Sequence, residues 1–110
     1  MAILDLNTLN ALKESAGADF VDELMDAFIK DSIQQMEKLR GALETGDADT
    51  FRRAAHTIKS NALTFGAEDL AVLARELEML GRDKNLEAGN RLEVLKEAFE
   101  LLQSELLSLK

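Results

Sequence analysis

The hydrophobic positions of the chain recur at intervals of three and four residues, the spacing that gathers side chains on one face of an α-helix. Short stretches containing Gly with Asp or Asn interrupt this pattern, which predicts five helices. Their expected spans are about Asn7–Ser15, Phe20–Glu44, Ala48–Phe65, Glu68–Gly81 and Leu86–Leu109. The last is the most regular, because its apolar residues follow one another at intervals of 3, 4, 3, 4 and 3. They are Leu92, Leu95, Phe99, Leu102, Leu106 and Leu109.

The longest predicted helix shows how the helices are expected to begin, end and pack. Its apolar stripe consists of Phe20, Leu24, Phe28, Ile29, Ile33, Met36, Leu39 and Leu43. Asp19 is its expected N-cap, because a carboxylate there accepts a hydrogen bond from a free N–H of the first turn. Gly46 is expected to end it in the left-handed conformation. Either Asp47 or Asp49 then caps the third helix.

Four long amphipathic helices joined by short connections predict an all-α fold, an antiparallel up-down four-helix bundle with an additional short N-terminal helix. The fourth helix contributes the stripe Leu70, Leu73, Leu77 and Leu80. Composition supports the prediction, since the chain lacks Pro and is rich in strong helix formers. A length of 110 residues fits a single domain, 1–110. One bundle accounts for the apolar stripes, so we expect a monomer.

Charge and composition exclude several classes of function. A net charge of −8 disfavours binding to nucleic acid, whose phosphates would be repelled. The absence of Cys excludes disulfides and thiolate metal sites, and a single His makes a metal site of its own improbable. No stretch approaches the ~18 apolar residues of a membrane span, and the first residues have no signal-peptide pattern. We therefore expect a cytoplasmic protein that binds neither membrane nor metal.

The single histidine lies off the apolar face of the third helix. Phe51, Ile58 and the alanines between them fall on one side of a helical projection, whereas His56 is about 140° away from Phe51. The residues next to His56 on the helix surface are Arg52, Arg53, Lys59 and Ser60, with Leu63 one turn further on. Nearby cations disfavour a protonated ring and favour a bound anion. A solvated surface would look the same, so spacing alone leaves both interpretations open.

The segment Ala55–Glu78, AHTIKSNALTFGAEDLAVLARELE, resembles the signature of histidine-containing phosphotransfer (HPt) domains of bacterial two-component phosphorelays. The matching residues are His56, Lys59, Phe65, Gly66, Ala67, Leu70, Leu77 and Glu78. The upstream segments Phe28–Ser32 and Gly41–Asp47 also look like the family. The sequence departs from the family pattern at Ser60, where Gly is usual. The departure puts the rate of transfer and the fit of the partner in doubt more than the function.

The resemblance implies a role for each residue near the histidine. His56 is implied to be the nucleophile that is phosphorylated, with Lys59 contacting the phosphoryl oxygens. Glu78 is implied to accept a hydrogen bond from Nδ1 of His56, although a surface pair with Arg75 or Arg82 is the alternative. A further group of residues is expected to take part in docking of the partner. The alternative for this group is that its side chains are simply exposed to solvent. The group consists of Arg52, Arg53, Ser60, Leu63 and Arg82.

The implied function is that of a phosphorelay intermediate with no kinase activity of its own. It would accept a phosphoryl group from the phospho-Asp of a receiver domain and pass it to the Asp of another. The implied partners are receiver domains of response regulators and of a hybrid sensor kinase, which would supply the Mg²⁺. Two alternatives stay open. One is a helical adaptor that binds receivers without being phosphorylated, and the other is an independent enzyme, which the lack of a nucleotide-binding motif disfavours.

Overall fold

The computed structural model of the chain describes residues 6–108, which form five α-helices and no strand. The helices are α1 (Leu6–Ala16), α2 (Ala18–Thr45), α3 (Ala48–Thr64), α4 (Glu68–Arg82) and α5 (Arg91–Ser108). The all-α prediction is confirmed. Among these helices, none offers a stretch both long and apolar enough to cross a membrane.

The helices enclose one hydrophobic core. Consecutive helices pack on each other from α1 through α5, α5 also returns to α2, and α3 and α4 share the most extensive interface. The largest fully buried side chains come from every helix and from the loop after α3. They are Leu9, Val21, Met25, Leu39, Phe51, Ile58, Phe65, Leu70, Leu77, Leu95, Leu102 and Leu106.

The junction between α2 and α3 fixes the start of the histidine-bearing helix. Gly46 has φ 73°, and its N–H donates to the carbonyl of Ala42, which ends α2 as predicted. Asp47 then caps α3, since its Oδ1 accepts from the backbone N–H of Thr50 at 3.1 Å and its Oδ2 from the Thr50 hydroxyl at 2.7 Å. Of the two predicted caps, the structure therefore selects Asp47. Asp49 lies in the first turn of α3.

The start of α2 and two positions of its predicted buried face differ from the prediction. The helix begins at Ala18 after Gly17, whose φ is 91°, so Asp19 lies within the first turn and is not the N-cap. Phe20 is 53% exposed and Ile33 is 43% exposed, whereas Val21 is fully buried. The other six residues of the predicted stripe face the core: Phe28 and Leu39 are buried, and Leu24, Ile29, Met36 and Leu43 pack against it partly buried. Phe20 and Val21 point about 100° apart on the helix, and packing against the neighbouring helices buries Val21 instead of Phe20.

The last helix begins later than predicted, at Arg91 rather than Leu86. Local hydrogen bonds replace the first predicted turns: Oδ1 of Asn85 accepts from the N–H of Glu87, and the N–H of Ala88 donates to the carbonyl of Leu86. This loop still contributes to the core, because Ala88 is buried and Leu86 is half-buried. The predicted stripe of α5 ends at Leu109, which lies outside the described residues.

Candidate functional site

The imidazole of His56 lies on the outer side of α3, opposite the helix's buried face. Phe51, Ala55 and Ile58 anchor that face with no exposed surface, so the helix presents His56 in a fixed direction. The side chain of His56 is 55% exposed. The core of the protein thus orients the ring without covering it.

A buried carboxylate holds one nitrogen of this ring. Glu78 is on α4, its side chain is only 8% exposed, and its Oε2 lies 2.5 Å from Nδ1 of His56. Glu78 is one of two buried polar or charged residues among the described residues, the other being Ser32. A carboxylate placed this far from water must find hydrogen-bond donors, and the histidine supplies one of them.

Lys59 supplies the second donor to the same carboxylate. Its Nζ donates to Oε1 of Glu78 at 2.6 Å. His56 and Lys59 are three positions apart on α3, so they project from neighbouring turns towards the same point on α4. The two oxygens of Glu78 are thereby divided between them, and Arg75 and Arg82 do not hold the carboxylate.

The pKa of Glu78 indicates which atoms of this cluster carry hydrogens. Burial raises the pKa of the carboxyl group, but the hydrogen bonds and positive charges of Lys59 and His56 outweigh it, so the pKa is lowered from its usual value. Glu78 is therefore ionised at neutral pH and can only accept hydrogen bonds. It follows that Nδ1 of His56 carries a hydrogen and, in the neutral ring, Nε2 has a free lone pair.

The remaining predicted site residues are less closely connected to the imidazole. The guanidinium groups of Arg52 and Arg53 both form ion pairs with Asp49, at 3.1 Å and 2.6 Å, rather than with a residue of the His56 cluster. Ser60 and Leu63 are exposed on the His56 side of α3. Arg82 is exposed at the C-terminal end of α4. Direct contacts therefore join His56, Lys59 and Glu78. The other five predicted site residues are not joined to them in this way.

Two further contacts of α3 with its neighbouring helices were not predicted from the sequence. Gly81 of α4 lies directly against the backbone of Arg52 on α3. Asn61 of α3 donates to Asp31 of α2 at 2.8 Å, which links those two helices by a polar contact. No local pattern indicates either, since each joins residues that are distant in the chain. The one available signal was a glycine within a helical pattern, at Gly81.

An exposed imidazole held through Nδ1 by a buried carboxylate keeps its other nitrogen free to act as a nucleophile. The family model described as Hpt domain matches residues 23–106. The chain therefore belongs to the Hpt domain family, the phosphotransfer proteins of phosphorelays, whose members interact with receiver domains. This confirms the resemblance seen in the sequence.

A solved structure agrees with this assignment. The crystal structure of histidine-containing phosphotransfer protein B (HptB) from Pseudomonas aeruginosa PAO1 matches with a TM-score of 0.91 at 30% identity. The match covers 96% of this chain and 92% of that one. A comparison with curated proteins gives no significant match.

Proposed function

We propose that this protein is a phosphorelay intermediate that accepts a phosphoryl group from the phospho-Asp of one receiver domain onto Nε2 of His56 and passes it to the Asp of another. The observation that supports the proposal most directly is that the two nitrogens of the imidazole have different surroundings. Nδ1 is engaged by a buried, ionised Glu78, and the largely exposed ring offers Nε2 to a partner.

The transfer step balances without any other reactant. The lone pair of Nε2 attacks the phosphorus of the acyl phosphate, the Nε2–P bond forms, and the P–O bond to the aspartate breaks. The aspartate leaves as a carboxylate, and the hydrogen on Nδ1 stays in its contact with Glu78. The ring becomes positively charged as its lone pair is used, and the Glu78 carboxylate stabilises that charge, as a carboxylate does beside other catalytic histidines. In the second transfer, the aspartate of another receiver attacks the phosphorus, a new P–O bond forms and the Nε2–P bond breaks.

Lys59 has a double role in this proposal. Its ammonium group has three N–H donors, of which one is given to Glu78. The other donors remain for a phosphoryl oxygen, whose negative charge would attract the ammonium group as the phosphoryl group arrives. Lys59 is therefore proposed to orient Glu78 before transfer and to contact the phosphoryl group after it.

The Mg²⁺ of the reaction is proposed to come from the receiver. Magnesium prefers several oxygen ligands in an octahedral arrangement. The carboxylate in contact with His56 is already occupied by two donors, His56 and Lys59, which leaves it poorly suited to hold a metal ion. The proposed docking residues are exposed or partly exposed and lie on α3 within two turns of His56 or at the C-terminal end of α4: Arg52, Arg53, Ser60, Leu63 and Arg82.

The finer architecture is part of the same proposal. We take α2 to α5 as an antiparallel up-down four-helix bundle with α1 as an additional helix, which is supported by the closed series of contacts from α2 through α5 and back to α2. A single domain, a monomeric state and a cytoplasmic location complete the proposal. Light scattering of the purified protein tests the monomer, since a mass of twice 12.2 kDa would contradict it.

A transfer assay tests the function. Receiver domains from the same genome are charged with a small-molecule phosphodonor and mixed with the wild-type protein or with His56→Gln. Intact mass then reports one added phosphoryl group, which we expect on the wild type alone as an acid-labile, base-stable adduct. Circular dichroism should show that the variant keeps its helices, because the side chain at position 56 is largely exposed. Phosphorylation of His56→Gln would refute the assignment of His56. Binding of receivers without phosphorylation of the wild type would favour the adaptor.

A further inference from the structure

A very close approach of α3 and α4 lies one turn away from the His56–Glu78 contact. A Cβ placed on Gly81 would be 2.8 Å from both Cβ and N of Arg52 and 2.9 Å from its Cα. Two of these three atoms are backbone, so the rotation of a flexible side chain cannot relieve the overlap. At this point the two helices are in contact at a distance that only glycine permits.

The two contacts are successive steps along a single interface. His56 is four residues after Arg52 on α3, and Glu78 is three residues before Gly81 on α4. Each step is about one helical turn. A change in the separation of the helices at Arg52 and Gly81 is therefore felt directly at His56 and Glu78.

We propose that Gly81 is a positioning residue for the phosphotransfer reaction: its missing side chain lets α4 approach α3 closely enough for the Glu78 carboxylate to reach Nδ1 of His56. This inference rests on the proposed function only for its effect on transfer, since the contact itself exists without a partner. Carbon atoms in contact prefer a separation of about 3.5–4.0 Å. Relief of a 2.8 Å contact to this separation would push the backbones apart by about 0.7–1.2 Å. The 2.5 Å hydrogen bond to Nδ1 would then lengthen to about 3.2–3.7 Å, at or beyond the limit of an effective hydrogen bond.

The substitution Gly81→Ala tests the proposal, with Gly41→Ala as its matched control. Gly41 is also within a helix, and a Cβ there would meet nothing within 4 Å. The first measurement is the ¹⁵N spectrum of the His56 ring, which reports which nitrogen carries the hydrogen and needs no partner. We expect the wild type and Gly41→Ala to show the Nδ1–H form, and Gly81→Ala to show a mixture of both forms.

The second measurement is the rate of phosphoryl acceptance from a charged receiver. Loss of a hydrogen-bond partner that orients a metal-binding histidine costs about 10- to 100-fold in metal affinity or activity, and we expect a loss of transfer rate in this range for Gly81→Ala. In a Glu78→Ala background the same substitution should change the rate less than about twofold, because its effect acts through Glu78. An equally large loss in both backgrounds would indicate general structural damage and overturn the proposal.

A second variant keeps the test decisive if Gly81→Ala does not fold. Glu78→Asp retains Gly81 and the charge but shortens the side chain by one methylene, so it should produce the same mixture of ring forms. A wild-type ring spectrum in a folded Gly81→Ala, or in Glu78→Asp, would overturn the positioning role. If the wild type shows the Nδ1–H form but accepts no phosphoryl group, the proposed function fails while the role of Gly81 in the contact is still measured.

Discussion

Nδ1 of His56 and Oε2 of Glu78 lie 2.5 Å apart, although 22 positions separate the two residues in the chain. The contact crosses from α3 to α4 and places a buried negative charge behind an exposed ring. One nitrogen of the imidazole is engaged by the carboxylate, which leaves Nε2 as the nitrogen proposed to react.

The stability contributed by the Glu78 carboxylate should depend on pH. Because the pKa of Glu78 is lowered in the folded protein, its ionised form stabilises the fold. That contribution is fully present above the usual value of 4.5 and is lost as the pH falls through the lower folded value. Glu78→Gln should reduce the free energy of unfolding by about 2 kcal/mol at neutral pH. The difference from the wild type should shrink below pH 4.5. Urea unfolding at a series of pH values measures it, and a difference that stays constant down to acid pH would contradict the prediction.

Removal of the Lys59 ammonium group should affect both Glu78 and phosphoryl transfer. In Lys59→Ala burial of the carboxyl group continues to raise its pKa, while the strongest opposing hydrogen bond is gone. The pKa of Glu78 should therefore rise, and transfer should slow by roughly tenfold, equivalent to about 1.4 kcal/mol. Carboxyl ¹³C titration and the transfer assay measure the two effects. Lys96→Ala, a change at an exposed position of α5, should alter neither. An unchanged Glu78 titration in Lys59→Ala would show that this ion pair does not form in solution.

The N-cap of α3 should contribute more to the stability of the protein than the ion pairs next to it. Asp47→Ala removes the acceptor of two hydrogen bonds from Thr50, so the melting temperature should fall by several degrees. Asp49→Ala removes the pairs with Arg52 and Arg53, which are exposed and contribute little to stability. Thermal unfolding followed by circular dichroism compares the two variants. A larger loss for Asp49→Ala would reverse the assignment of the cap.

Neighbouring apolar residues at the start of α2 should respond very differently to truncation. Val21 is fully buried, so Val21→Ala should lower the free energy of unfolding by about 2 kcal/mol through lost burial and an unfilled space. Phe20 is 53% exposed, and Phe20→Ala should change stability by less than about 0.5 kcal/mol. Urea denaturation measures both. The opposite order would place Phe20 in the core, as the sequence pattern predicted.

Local physics made most of the helices predictable. The periodicity of apolar residues predicted α3 and α4 to within one residue at each end, and Gly46 marked the end of α2 because a left-handed residue there costs glycine little. The same periodicity placed His56 outside the buried face of α3, since its angular offset from Phe51 follows from helix geometry alone. The resemblance to the HPt signature then indicated which exposed residue to propose as the nucleophile.

Tertiary packing decided the features that depend on two elements at once. In α2, most of the predicted stripe faces the core, but helical spacing allowed either Phe20 or Val21 to be buried, and the surfaces of the adjoining helices determined that it is Val21. At the start of α5, packing of Ala88 and the local hydrogen bonds of the loop replaced a helical turn that periodicity alone would allow. The contact of Glu78 with His56 and Lys59, and the glycine that lets α4 approach α3, have no local signature. They exist because the fold brings residues that are distant in the chain to within hydrogen-bonding distance, and periodicity within a single helix contains no information about that distance.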